Sequence, residues 1–175
     1  TISDVAVDWT DAQGTHWRPE NFDGREYGPV SLLDALTRSL NLATVNLGLQ
    51  LGVAKTGKYL TSMGVSRRLP PYPSMFLGAI DMSPFEVTEL YTALANDGFQ
   101  VPLRAIFSVT DQHNKRLNRY GLKIRRVMSP ATAALVRHAL SRVVARGTAR
   151  RLLQDFPDTQ PLAGKTGTSD DNRDS

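Results

Sequence analysis

The sequence has no cysteine among its 175 residues. That absence excludes disulfide staples, zinc–thiolate sites and a cysteine nucleophile, and it leaves the compartment open. Long apolar runs are missing too. No window of about 18 apolar residues occurs, so no helical membrane span is expected within these residues, and no basic-then-apolar leader opens them. Histidine is scarce, with three residues. His16, His113 and His138 lie far apart without ligand-like neighbours, so surface histidines are expected, with no metal site and no cofactor. Glycine and proline, at 13 and 10 residues, are near average use, which excludes collagen-like and low-complexity chains. What is present suffices for a core, because 41% of residues are hydrophobic and 22% charged, a balance unlike that of disordered chains. The net charge is +4. Arginine pairs at Arg67-Arg68, Arg125-Arg126 and Arg150-Arg151 are scattered and not interleaved with aromatics. A solvated basic surface is therefore expected, with no nucleic-acid partner. The chain opens on Thr1 and closes on Asp170–Ser175 just after a strand-like run; a portion of a longer protein, cut at both ends, is expected.

Four blocks follow along the chain. Residues 1–29 form a polar, turn-rich arm, with Trp9, Trp17 and Phe22 as expected anchors. Residues 30–64 read as helices. Leu32, Leu33, Leu36 and Leu40 repeat at helical spacing, and Ser31-x-x-Asp34 is a capping-box-like start. A second apolar run, Val45 to Leu51, ends at Gly52, and a third short helix through Tyr59 and Leu60 stops at Gly64. Residues 65–161 combine helices with a hairpin. Pro70, Pro71 and Pro73 mark a connector over 65–80 as loop. Ser83-Pro84-Phe85-Glu86 signals a helix start, with Val87, Leu90, Tyr91 and Leu94 as its buried face and Asn96-Asp97-Gly98 as its end. A strand at Ile106–Thr110, a turn at Asp111–Lys115 and an extended run near Leu122–Ile124 suggest the hairpin. Ser129-Pro130 opens a long helix with Leu135, Val136, Ala139, Leu140 and Val143 on one face and Gly147 at its end, after which Thr148 is expected to cap one more turn. Residues 162–169 read as a strand of small residues. Helices early and a few strands late predict an α+β fold.

Three segments carry chemistry. Gly52-x-x-x-x-Gly57-Lys58 resembles a phosphate-binding loop, but Tyr59 stands where a magnesium-holding hydroxyl is required and no strand precedes it. Ser39-Leu40-Asn41 falls at the break between two helices. Inside one helix, residues two apart point about 200° away from each other, but at a corner both can face one site; the alternative is that they cap the second helix. In Gly164-Lys165-Thr166-Gly167-Thr168-Ser169 a lysine stands among glycines and hydroxyls, and Gly167 lets a ligand backbone lie close. Lys55-Thr56-Gly57 repeats the Lys-Thr-Gly triplet in a helical context, where backbone N–H groups point along the axis. The second copy, with Lys165, is therefore the expected site.

Ser-x-Asn followed by Lys-Thr-Gly resembles two of the three motifs of serine β-lactamases and penicillin-binding proteins. Ala35–Asn41, Val45–Gly48, Leu77-Gly78-Ala79, Ser83-Pro84, Ala95–Gly98 and Arg146–Ala149 also resemble the transpeptidase domain of class A penicillin-binding proteins. Asp34–Asn41 and Thr44–Gly48 are most similar to the 1b type of Gram-negative bacteria. The third motif, Ser-x-x-Lys, carries the nucleophile and is absent: no serine here is followed three positions later by lysine.

The resemblance implies a mostly helical fragment of the penicillin-binding transpeptidase and β-lactamase-like fold, with a few antiparallel strands that include the Lys-Thr-Gly strand. It implies peptidoglycan cross-linking through an acyl-enzyme formed at D-Ala-D-Ala, with stem peptides as substrates and β-lactams as inhibitors. Ser39, Asn41 and Lys165 become the catalytic candidates, and Thr166, Gly167, Thr168 and Ser169 the substrate-binding ones. Periplasmic location, an anchor in the inner membrane outside this chain and a glycosyltransferase domain in the parent follow by the same resemblance. A non-catalytic relative that binds peptidoglycan or a protein partner, and a serine β-lactamase, are the alternatives.

Overall fold

The computed structural model describes residues 1–156 and 161–167. Strands β1 (Ile2–Asp4), β2 (Trp9–Thr10), β3 (His16–Trp17) and β4 (Gly28–Val30) precede helices α1 (Leu32–Arg38), α2 (Asn41–Leu51) and α3 (Val53–Ser62). A 3-10 helix (Pro73–Leu77), α4 (Pro84–Ala95), β5 (Phe99–Gln100), β6 (Ser108–Thr110), β7 (Arg116–Arg119), β8 (Arg125–Arg126), α5 (Pro130–Arg146) and α6 (Leu152–Asp155) follow. Among the described residues all four strand pairs are antiparallel, and the fold class is α+β as expected. The chain divides into two compact units, one of residues 1–59, 68–80 and 136–175, the other of residues 60–67 and 81–135.

In the first unit β1 pairs with β4, so the arm closes on itself. Asp4, at the end of β1, is completely buried. Its carboxylate accepts from Asn21 Nδ2 at 2.8 Å, Tyr27 N at 3.0 Å and Ala43 N at 2.9 Å. Asn21 Oδ1 accepts in turn from Leu42 N at 3.2 Å. These bonds solve a local problem. Leu40 stands at the N-cap of α2 and offers no side-chain hydrogen bond, so the first amides of the helix need outside acceptors. Asp4 and Asn21 supply them from the arm, and the Asp4 charge also suits the positive end of the helix dipole.

The body of α2 buries Leu42, Ala43, Val45 and Gly48. Glycine at position 48 is a packing requirement, because a Cβ there would fall inside the Phe76 ring. Near its end α5 buries Val143 and Val144, which with Ala149 pack against Leu36 and Leu162. On the arm, Trp9 and Trp17 face each other across β2 and β3, and Trp9 meets Tyr72 edge-on at 6.2 Å between centroids. Phe22, expected as an anchor, stands wholly exposed. The carboxylate of Asp8, against Arg18 and His16 at 2.8 Å each, is pulled down to about 2 by those hydrogen bonds.

In the second unit the expected capping box is complete: Ser83 Oγ accepts from Glu86 N and the Glu86 carboxylate accepts from Ser83 N. Arg67 also reaches Glu86 at 2.9 Å, and these contacts hold the Glu86 carboxyl below its ordinary range, with the Ser83 amide the largest cause. Gly98 turns the chain after α4 with φ +88°, where a side chain would strike the Met128 backbone.

Several sequence expectations need correction. The fully buried residue of α4 is Ala93; Val87 and Tyr91, turned further round the helix, are exposed. Leu135 is exposed because it lies about 200° round from Ala133, which with Leu140, Val143 and Val144 forms the buried stripe of α5. The hairpin partner of β6 is β7, not the run at 122–124. Asp111 Oδ1 accepts from His113 N and Lys115 N, closing the turn so early that pairing starts at Arg116. Tyr59 lies in α3, which already begins at Val53, and the connector over 65–80 contains the 3-10 helix, with Pro73 at a position that needs no donor. The last turn, α6, starts from Arg151, and Thr148 does not cap it.

The dependence of α2 on Asp4 is measurable. Asp4→Ala leaves the buried Ala43 amide without its acceptor and takes one bond each from Asn21 Nδ2 and Tyr27 N, and is expected to destabilise the fold by about 2–4 kcal/mol, read by urea unfolding with far-UV circular dichroism. Asp81→Ala, at an exposed position, is expected to stay within about 0.5 kcal/mol. Equal effects of the two would remove the capping role of Asp4.

Candidate active site

The Ser39 corner is a helix terminus with specific geometry. Ser39 has φ 57° and ψ 47°, the left-handed region. Its N–H bonds Leu36 O at 3.2 Å and the Leu40 N–H bonds Ala35 O at 2.9 Å. These two bonds form a Schellman motif, which normally carries glycine at the left-handed position. A serine there costs roughly 1–2 kcal/mol of backbone strain. Leu40 then returns to extended backbone and α2 starts at Asn41. Ser39 and Asn41 therefore do not lie in one unbroken helix, and neither is the N-cap of α2.

Lys165 reaches this corner from the far end of the sequence. Its Nζ donates to Ser39 Oγ at 2.6 Å and to Thr166 O at 3.0 Å. The amine is half-buried, and burial holds its pKa below the ordinary lysine value. In the run 161–167 no residue joins a strand pair, a departure from the expected strand. Gly164 N instead bonds Leu140 O on α5, at 3.4 Å, so the segment leans on a helix rather than on a neighbouring strand.

The other candidates divide. Asn41 Nδ2 donates to Glu20 O at 2.8 Å, which ties the side chain to the arm. Thr166 Oγ1 lies 2.6 Å from Thr148 Oγ1. Gly167 is exposed, and a Cβ there would meet open space. Thr168 and Ser169 lie outside the described residues. Lys55, in the other Lys-Thr-Gly triplet, is exposed within α3. Among the described residues no group of three or more acidic, histidine or cysteine side chains is arranged to hold a metal.

Sequence reading missed Asp4, Asn21 and Thr148. Asp4 and Asn21 sit in a polar arm without periodicity and act at a distance in sequence. Thr148 reads in the sequence only as part of Arg146–Ala149 and as a helix cap.

The family description "Penicillin binding protein transpeptidase domain" matches residues 3–174. Penicillin-binding protein 1B of Vibrio cholerae is 37% identical over 176 residues, covering 100% of this chain and 22% of that protein. Penicillin-binding protein 1B of Escherichia coli K12 is 38% identical over 176 residues, covering 99% of this chain and 21% of that protein. The chain thus spans about a fifth of the length of these curated relatives. Among solved structures, penicillin-binding protein 1A from Haemophilus influenzae superposes with a TM-score of 0.85 at 23% identity, over 96% of this chain and 31% of that one. An imipenem acyl-enzyme complex of penicillin-binding protein A from M. tuberculosis does so with a TM-score of 0.77 at 20% identity, over 97% and 43%. At such identities these likenesses speak to the fold, whereas the family match runs through both the Ser-x-Asn corner and the Lys-Thr-Gly segment: the chain belongs to the penicillin-binding protein transpeptidase domain family.

Proposed function

We propose that this chain supplies the Ser-x-Asn and Lys-Thr-Gly elements of a serine D,D-transpeptidase that cross-links peptidoglycan stem peptides and is acylated by β-lactams. The acylated serine belongs to a Ser-x-x-Lys segment that these 175 residues do not contain. The observation that carries the reading is the 2.6 Å bond between Lys165 Nζ and Ser39 Oγ, which joins residues 126 apart in sequence.

The chemistry follows from that bond. When the serine attacks the penultimate D-alanine carbonyl, the peptide C–N bond breaks and the departing nitrogen needs a proton. The Ser39 hydroxyl delivers one and recovers another from the Lys165 amine, and the proton that the attacking serine gives up to its base makes good the one the amine has lent. A half-buried amine with a lowered pKa gives up its proton more readily than a solvated one. Its positive form also favours a carboxylate nearby. The same proton path run backwards lets an acceptor amine attack the acyl-enzyme and displace the serine. Asn41 orients the substrate amide, with its side chain held through Glu20 O. Thr166 and Thr168 hydroxyls receive the terminal carboxylate, Gly167 leaves room for the peptide backbone beside Ser169, and the Thr168 N–H donates to the oxyanion. In the parent, the remaining length supplies the anchor to the bacterial inner membrane and a glycosyltransferase domain, with this portion in the periplasm. Among the described residues no helix is long and apolar enough to cross a membrane.

Three measurements test this reading. In the full-length protein, Lys165→Ala is expected to slow acylation by a fluorescent penicillin roughly a hundredfold or more, whereas Lys55→Ala leaves it near normal; the reverse order would move the site to α3. The 175 residues alone are expected to form no covalent penicillin adduct, and a stable adduct mapped to any serine here would reassign the nucleophile. Finally, ¹³Cε NMR should show Lys165 titrating below 10.5, the ordinary lysine value. The sign for stability follows. As pH falls below 10.5 the unfolded chain takes the proton first, so the contribution of this position declines until the folded amine is protonated too. It recovers as pH rises back to 10.5. A titration at or above 10.5 would contradict the burial of the amine.

A further inference from the structure

The turn after α5 has features that the proton relay does not use. Gly147 presses against α1: a Cβ there would strike the carbonyl of Thr37, two residues before Ser39. Ala149 is buried with Val143 and Val144 against Leu36 and Leu162. The amides of Gly147 and Ala149 both bond Val143 O, at 2.9 and 3.3 Å. Between these two fixed residues stands Thr148, exposed itself, with its hydroxyl 2.6 Å from that of Thr166. The residue is thus mounted on a wedge between the end of α1 and the segment that carries Lys165.

A pair of hydroxyls has a simple proton count. Each oxygen has one hydrogen and two lone pairs, so one member donates to the other. If Thr166 donates to Thr148, its hydrogen points back into the turn and only lone pairs face outward. If Thr148 donates to Thr166, the Thr166 hydrogen is released to point outward. An anion in front of Thr166 selects the second arrangement, and the chain Thr148 to Thr166 to anion is strengthened at each link by polarisation. When Thr148 donates, it also removes the one rotor position of the Thr166 hydrogen that points back into the turn.

We propose that Thr148 is a positioning residue that turns the Thr166 hydroxyl toward the carboxylate of the bound stem peptide or β-lactam. The proposal rests on the transpeptidase reading above and adds a residue that acts through Thr166 rather than on the substrate. It makes carboxylate recognition depend on a turn held by α1 and α5.

The test uses the full-length protein with Thr148→Val, which keeps shape and loses the hydroxyl, and Thr148→Ser, which keeps the hydroxyl. Acylation by benzylpenicillin and by its methyl ester, which has no carboxylate charge, is followed in competition with a fluorescent penicillin. Thr148→Val is expected to lower the second-order rate for benzylpenicillin roughly tenfold, through a weaker apparent affinity rather than a lower limiting rate. The ester rate is expected to change by less than about twofold, and Thr148→Ser to restore the benzylpenicillin rate to within about twofold. An unchanged benzylpenicillin rate in Thr148→Val overturns the proposal. So does an equal loss for penicillin and ester, which marks a structural role, or a Thr148→Ser variant as slow as Thr148→Val. Failure of the unsubstituted protein to be acylated at all overturns the transpeptidase reading instead, so the two failures are distinct.

Discussion

The buried Asp4 carboxylate stands where α2 begins, at a helix start that has no cap of its own. Three donors converge on it, from Asn21, Tyr27 and Ala43, so one side chain joins the arm, the strand pair and the helix. Remove it, and the Ala43 amide in the first turn of α2 is buried without its acceptor, which is costly in a low-dielectric interior. Much of the site hangs on this junction. Asn41 is the first residue of that turn, and its amide is tied to Glu20, next to the Asn21 that completes the cap. Ser39 is held by the Schellman bonds at the end of the preceding helix. The corner between the helices is thus fixed from both sides.

Every polar group assembled at the candidate site comes from an end or an irregular segment. Ser39 follows the last residue of α1, Asn41 opens α2, Thr148 lies in the turn after α5, and Lys165 is in a run outside the strand pairs. Helix interiors aim side chains in fixed, repeating directions, whereas termini allow groups two residues apart to meet. The left-handed backbone at Ser39 is part of that arrangement. Glycine would relax the strain but would remove the hydroxyl that Lys165 contacts, so the strain stays with the chemistry.

What could be read in the sequence was local. Ser31 with Asp34 and Ser83 with Glu86 announced their helices because capping acts within three residues, and both bonds are present. The corner at Ser39-Leu40-Asn41 was legible as the break between two helical runs of apolar residues. The meeting of Lys165 with Ser39 was expected from the family's motifs rather than from periodicity. The long-range roles were silent. Asp4 finds partners 17, 23 and 39 residues away, and no pattern marks such an aspartate. Thr148 reads as a cap because threonine is favoured at helix N-caps, whereas its hydroxyl turns to Thr166. Hydrophobic periodicity placed Leu135 and Val87 on buried faces, yet the packed stripes run through alanines at 133 and 93. Small residues allow close approach, which a reading weighted by hydrophobicity overlooks.

The bond between Ser39 and Lys165 closes a loop between residues 126 apart in sequence. Contacts of such wide separation carry a large closure entropy and tend to form after local structure. The capped helices and the arm can therefore be in place while the lysine is still absent, and during synthesis from the N-terminus that order is imposed by the ribosome. Helical content and burial of the Asp4 junction would then mature ahead of the Ser39–Lys165 bond. A shortened product ending before Lys165 would keep its helical signal to a spectroscopist and still lack the contact that pins the Ser39 corner.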